Sequence, residues 1–150
     1  MSEVGFYHLR GMPLERALPK LLERAVAEEK RVVVVTGSDE RAEYLNALLW
    51  TYDEASFLPH GAASDGNAER QPVWLGARDE NPNGAEWVML VDGASVDLRR
   101  YARAFDLFDG NDESAVAAAR LRWGEARLGG HKLTYWQQTQ HGWEKKVEVG

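Results

Sequence analysis

The sequence predicts an α/β protein, a three-layer sandwich around a largely parallel central sheet, and three observations predict it. Val32–Val35 is an uninterrupted β-branched run and residues 87–91 (WVMLV) are a second continuous apolar run. Strands covered on both faces read this way, and a parallel sheet requires such strands. Segments with helical spacing of apolar residues alternate with them, which favours helices packed on a parallel sheet over an all-β or all-α architecture. At 150 residues without cysteine, the chain is long enough to bury one core without disulfide or metal support. One domain over residues 1–150 is expected.

The elements follow in order. Residues 4–9 (VGFYHL), bounded by Arg10-Gly11, form a buried strand. Leu14, Leu18, Leu21, Leu22, Ala25 and Val26 recur at helical spacing, with Pro19 placed in a first turn or at a kink because an interior proline forfeits a backbone hydrogen bond. After Val32–Val35, Thr36-Gly37-Ser38 turns the chain, Ser38 caps the next helix, and Asp39 and Glu40 favour its positive end. Ala42, Leu45, Leu48 and Leu49 give that helix its buried face. Residues 52–71 show no period and 61–66 (GAASDG) form a flexible connection. Residues 73–75 are a short strand, Asn81-Pro82-Asn83-Gly84 a turn, and 87–91 the second buried strand, ending at Asp92-Gly93. Ser95 starts a helix through Tyr101, residues 105–108 are a strand, and a long helix started by Asn111 or Asp112 runs to Arg127. Gly129-Gly130 ends it, and residues 132–137 (KLTYWQ) are the terminal strand.

Composition excludes several function classes. The net charge of −6 argues against the chain as a whole binding nucleic acid tightly, since phosphate neutralisation needs a basic surface. The balance is uneven: residues 111–150 carry six Lys/Arg against five Asp/Glu, and residues 1–110 twelve against nineteen. The C-terminal quarter is therefore where an anionic partner is sought, unless the imbalance is scatter over a solvated surface. No cationic lead with an apolar run opens the chain and no run reaches membrane-span length, so a soluble, untargeted protein is expected.

The stretch from Val32 to His60 opens like a nucleotide-binding βα unit without a phosphate loop. Neither G-x-x-x-x-G-K-[ST] nor G-x-G-x-x-G occurs, and the turn after Val35 has a single glycine and no lysine. Residues 87–92 resemble the apolar strand plus aspartate that holds magnesium in phosphate-loop enzymes, so a degenerate nucleotide-dependent enzyme using Asp92 is the rival reading; the alternative for Asp92 is a turn or capping residue. His8, His60, His131 and His141 are scattered singly, and no metal site or cofactor is expected. His60 is placed to hydrogen-bond the backbone of its own loop. No G-x-S-x-G elbow or paired catalytic carboxylate stands out, and no catalytic residue is assigned.

Two surfaces carry the binding readings. Trp50, Phe57 and Pro59 place apolar side chains in and beside a loop that should be polar, which points to a partner protein or to a homodimer joined through Trp50 and Phe57. On the long helix, Val116, Arg120, Trp123 and Arg127 are spaced by four, three and four residues and share one flank. Two guanidinium groups beside an indole suit a carboxylate bound next to an apolar side chain. The other reading makes Trp123 a core residue that the arginines flank. Arg122 falls on the opposite helical face.

The chain resembles the chi subunit of bacterial DNA polymerase III over most of its length. The likeness rests on Phe6-Tyr7 in the first strand, Ala47-Leu48-Leu49-Trp50, Ser56-Phe57-Leu58-Pro59-His60, and Ala119-Arg120 with Arg122-Trp123 and the glycine turn after them. It implies a non-catalytic clamp-loader accessory, bacterial and cytoplasmic, that grips the acidic, phenylalanine-ended tail of single-stranded DNA-binding protein. Arg120 falls on the family's key basic position for that tail and Trp123 on an aromatic one. Trp50 and Phe57 match aromatics that hold the psi subunit or a helicase. Val116 and Gly124 stand where the family has further basic residues, so either the tail is held more weakly or the positive charge it needs comes from Arg127, Lys132 or the C-terminal Lys145 and Lys146.

Overall fold

The computed structural model describes residues 2–52 and 58–150. Eleven elements follow in the order β1 (Glu3–Leu9), α1 (Leu14–Ala27), β2 (Val32–Val35), α2 (Asp39–Thr51), β3 (His60–Ala62), β4 (Val73–Gly76), β5 (Trp87–Leu90), β6 (Arg103–Asp109), α3 (Glu113–Leu128), β7 (Lys132–Thr139) and β8 (Gly142–Val149). They build one eight-stranded sheet in the order β3-β4-β2-β5-β6-β1-β7-β8. Every neighbouring pair is parallel except β7 and β8.

The three layers follow from alternation along the strands. Tyr7, Leu9, Val32, Val34, Met89, Phe105 and Leu107 face α1 and α2, whose Leu18, Leu22, Ala25, Leu45 and Leu49 pack on them. Val4, Phe6, Val33, Val35, Val88, Ala104 and Leu133 face the other side, where Ala119 and Ala126 of α3 meet them. All four valines of β2 are buried, as expected of a strand covered on both faces. Ser38 caps α2 by accepting from the backbone N–H of Arg41. Asp112 caps α3 by accepting from Ser114 and Ala115.

The sequence expectation is corrected in four places. Of the two places expected for Pro19, a first turn or a kink, the first turn is corrected: the residue lies buried inside α1, with Pro13 at the N-cap. His60–Ala62 pairs with β4 as an edge strand where a flexible connection is expected. Residues 95–101 form no α-helix: only a 3-10 turn at Leu98–Arg100 occurs. Val96 and Leu98 lie over the β5 side of the sheet, and Asp79 holds the segment by accepting from Asp97 N–H at 2.8 Å and the Tyr101 hydroxyl at 3.1 Å. Finally, β7 is not terminal. It turns at residues 140–141 into β8, and a register shift beside Tyr135 and Trp136 together with Lys145 and Lys146 marks a guarded sheet edge.

Candidate functional site

α3 lies across β1, β6 and β7. The small buried side chains of Ala119 and Ala126, seven residues apart, let it sit close to the sheet. Between them Trp123 is half-buried, meeting Phe6 edge-on at 5.2 Å and Tyr135 at 5.9 Å. Val116 is half-buried on the same flank, and Arg120 and Arg127 are exposed. The four residues of the predicted stripe thus share one surface, with Trp123 part packing and part wall.

Two further residues complete this surface and escape a reading by helical spacing. The Tyr135 hydroxyl and His8 Nδ1 share a hydrogen bond of 2.6 Å, with Phe108 against both rings. Burial pushes the Tyr135 hydroxyl above the ordinary tyrosine range, and the Arg120 guanidinium opposes it. His8 is drawn below its ordinary value by burial and then by Arg10 and Arg120, so it is neutral at pH 7. The charge of Arg120 therefore sits beside an uncharged aromatic floor. Lys132 is not brought into this group, because alternation along β7 sends it out on the side of Trp136, opposite Leu133 and Tyr135.

Arg122 is a structural residue. Its guanidinium makes a two-pronged pair with Asp106 on β6, at 2.6 and 3.0 Å, and the Asp106 side chain is 3% exposed. Burial raises the Asp106 carboxyl above the ordinary carboxylate range, with Arg122 opposing.

The second predicted surface has a firm base. Trp50 stands in the last turn of α2 with 54% of its surface exposed. Its ring rests on His60 at 4.5 Å, and His60 is buried with its two ring nitrogens against the carbonyls of Leu58 and Asn46, at 2.5 and 3.1 Å. The loop-bracing role expected of His60 is the one it has. Pro59 is half-buried. Phe57 lies outside the described residues. Since Trp50 is more than half exposed and its ring contact with His60 is worth about 0.5–1.5 kcal/mol, Trp50→Ala is expected to shift the melting temperature by a few degrees at most while abolishing partner capture in a pull-down from the source cell. A large thermal loss with partner capture intact would remove this surface.

A cleft of about 690 Å³ lies elsewhere, at the carboxyl ends of β1, β5 and β6, where α/β sheets commonly hold ligands. Asp92, in the left-handed region at φ 56°, sends its carboxylate back to the Gly37 N–H at 3.2 Å, and Arg41 donates to both its oxygens at 3.2 and 3.3 Å. A carboxylate of the chain thus fills the turn that leads into α2, beside the helix start where such a unit holds a nucleotide phosphate. Four carboxylates, of Glu15, Asp92, Asp109 and Asp112, line the cleft against three arginines, Arg10, Arg41 and Arg122. Calorimetry with Mg-ATP is accordingly expected to show no binding at physiological concentration; micromolar binding lost in Asp92→Ala would reinstate the nucleotide reading. Among the described residues no group of three or more His, Cys, Asp or Glu could hold a metal ion, and no helix is long and apolar enough to cross a membrane.

Comparison with known proteins adds two findings. A family model described as DNA polymerase III chi subunit, HolC, matches residues 1–134. The probable DNA polymerase III subunit chi of Rickettsia prowazekii (strain Madrid E) is 26% identical over 109 residues, a stretch covering 70% of this chain and 66% of that protein. Residues 135–139 of β7 and all of β8 fall beyond the matched residues.

Proposed function

This chain belongs to the DNA polymerase III chi subunit family, a family of replication accessory subunits, and from that premise we propose that it is a non-catalytic adaptor for the acidic tail of single-stranded DNA-binding protein. The tail's terminal carboxylate bonds to Arg120, and its last aromatic ring lies against Trp123 and Tyr135. Val116 extends the apolar wall and Arg127 adds charge about two turns further on. Trp50 and Pro59, with Phe57, hold the other partner, the psi subunit of the clamp loader or a helicase. Together the two surfaces link the polymerase assembly, or the helicase, to protein-coated single-stranded DNA.

The observation that supports this most is Arg120 itself. It is an exposed guanidinium that pairs with no carboxylate among the described residues, beside a half-buried indole. An arginine left unpaired next to an apolar wall retains its full capacity for a carboxylate ligand. The Asp92 geometry, in contrast, fills the Gly37 N–H and the Arg41 guanidinium with a carboxylate of the chain, which counts against the enzymatic reading.

A fluorescent peptide ending in Asp-Asp-Ile-Pro-Phe is expected to bind with a dissociation constant of about 1 μM, the range of a short segment that must be ordered on binding. Raising the salt weakens it, because the contact is exposed and ionic. Absence of binding at low salt would leave the Trp50 surface as the sole functional site of the reading.

A further inference from the structure

α1 packs on β2 and β6, and β7 and β8 extend past it with aromatic side chains on the same face. Tyr7 folds its ring over Gly5, where a Cβ would come within 2.7 Å of it. The ring lies near-parallel to Trp136 at 6.2 Å and receives Trp143 edge-on at 5.1 Å. Trp136 and Trp143 are half-buried, so each keeps accessible surface. A pocket of about 130 Å³ separates these rings from Leu21 and Arg24 of α1. That is the share of about four waters in the liquid, room for one flat ring. Past Trp143 the groove widens into a second space of about 410 Å³ along Lys20 and the β7–β8 turn.

The charge along this groove is opposite to that of the chain. Lys20 and Arg24 are exposed and make no ion pair with a described residue. Arg103 lies over the rings of Trp87 and Phe105, at 4.8 and 4.6 Å from their centroids. Lys145 stands 5.8 Å from the Trp136 ring, tied only by an exposed pair with Glu148. Glu28 is the one carboxylate among the described residues lining the two spaces. Stacking surfaces in a cationic groove are what proteins use to hold unpaired bases and the phosphates between them.

We propose that this groove, between α1 and the β7–β8 hairpin, binds single-stranded nucleic acid, a base stacking on Trp136 and Trp143 while Lys20, Arg24 and Arg103 take the phosphates. Trp136, Trp143 and Lys145 lie beyond the residues the family model matches, and the groove is on the opposite face of the sheet from Arg120, so the proposal does not rest on tail recognition. The acidic remainder of the chain limits affinity. A duplex, whose bases are stacked inside, cannot use the rings.

The test is anisotropy of a labelled oligothymidylate of about 20 nucleotides with the full chain, at about 20 mM and about 200 mM salt. Binding is expected with a dissociation constant between about 1 and 100 μM at the lower salt, together with quenching of tryptophan emission. Trp143→Ala weakens it by about 5- to 150-fold. Arg24→Ala, at an exposed position that folding does not need, lowers the salt slope by about 0.7. Arg78→Ala, on the loop after β4, leaves binding unchanged. No binding at the lower salt, equal binding of a duplex of the same length, or equal loss from Arg78→Ala would overturn the proposal. So would quenching by an acidic, phenylalanine-bearing peptide where the oligonucleotide gives none, which makes this a peptide groove.

Discussion

Replacing Arg122 by alanine is expected to lower the free energy of unfolding by about 3–5 kcal/mol, the cost of leaving one partner of a buried ion pair uncompensated. Asp106 sits mid-strand on β6 beneath α3, with both carboxylate oxygens held by Arg122. Without the guanidinium it must be charged in an apolar layer or take up a proton. For a chain of this size the loss corresponds to a fall in melting temperature of roughly 6–20 °C. It also depends on pH with a definite sign. Burial already raises the Asp106 carboxyl in the folded chain, so its contribution to stability is fully present below the unfolded value and is lost as pH rises through the folded one. Removing Arg122 raises the folded value further. The deficit of Arg122→Ala relative to wild type is therefore smaller at pH 5 than at pH 8, as read from urea midpoints. Substituting both partners, Arg122→Met with Asp106→Leu, restores most of the loss, since well-packed apolar groups replace a buried pair at little cost. A single variant as stable as wild type would show that Asp106 reaches water.

Arg120→Ala is expected to weaken tail binding by about 30-fold, or about 2 kcal/mol, because a charge-assisted bond to the terminal carboxylate is lost while the rest of the peptide stays in place. Its stability is expected to stay within about 0.5 kcal/mol of wild type, since the residue is exposed and pairs with no carboxylate among the described residues. Arg122, on the far side of the helix by spacing, would serve as the neutral comparator on sequence grounds; its pair with Asp106 makes it a stability variant instead. Arg16, exposed on α1, is the sound comparator. Lys132→Ala costs little, because that side chain leaves from the opposite face of β7. Peptide titrations of the four proteins, with circular dichroism to confirm folding, decide the matter. Equal affinities of Arg120→Ala and Arg16→Ala would remove tail recognition from α3.

What the sequence determined by itself is local. The valine run of β2 and the apolar run of β5 declared strands covered on both faces, because short continuous apolar runs bounded by turn signals suit a strand buried in a parallel sheet. Ser38 and Asp112 announced the helix starts they cap, since a side-chain oxygen placed there satisfies N–H groups the helix leaves open. The flank shared by Val116, Arg120, Trp123 and Arg127 follows from helical geometry alone. The tertiary structure decided whatever depended on a distant partner. Three residues of β3 form a strand solely because β4 lies beside them, and residues 95–101 give up helix because Asp79 takes their donors and the sheet takes Val96 and Leu98. β8, a charged and largely exposed segment, acquires order only by pairing with β7. Arg122 became structural through Asp106, sixteen residues away, and Tyr135 joined the site through His8, 127 residues away. Pairings of that kind depend on which strands become neighbours, and strand order is set by the packing of the whole sheet, which no local spacing encodes.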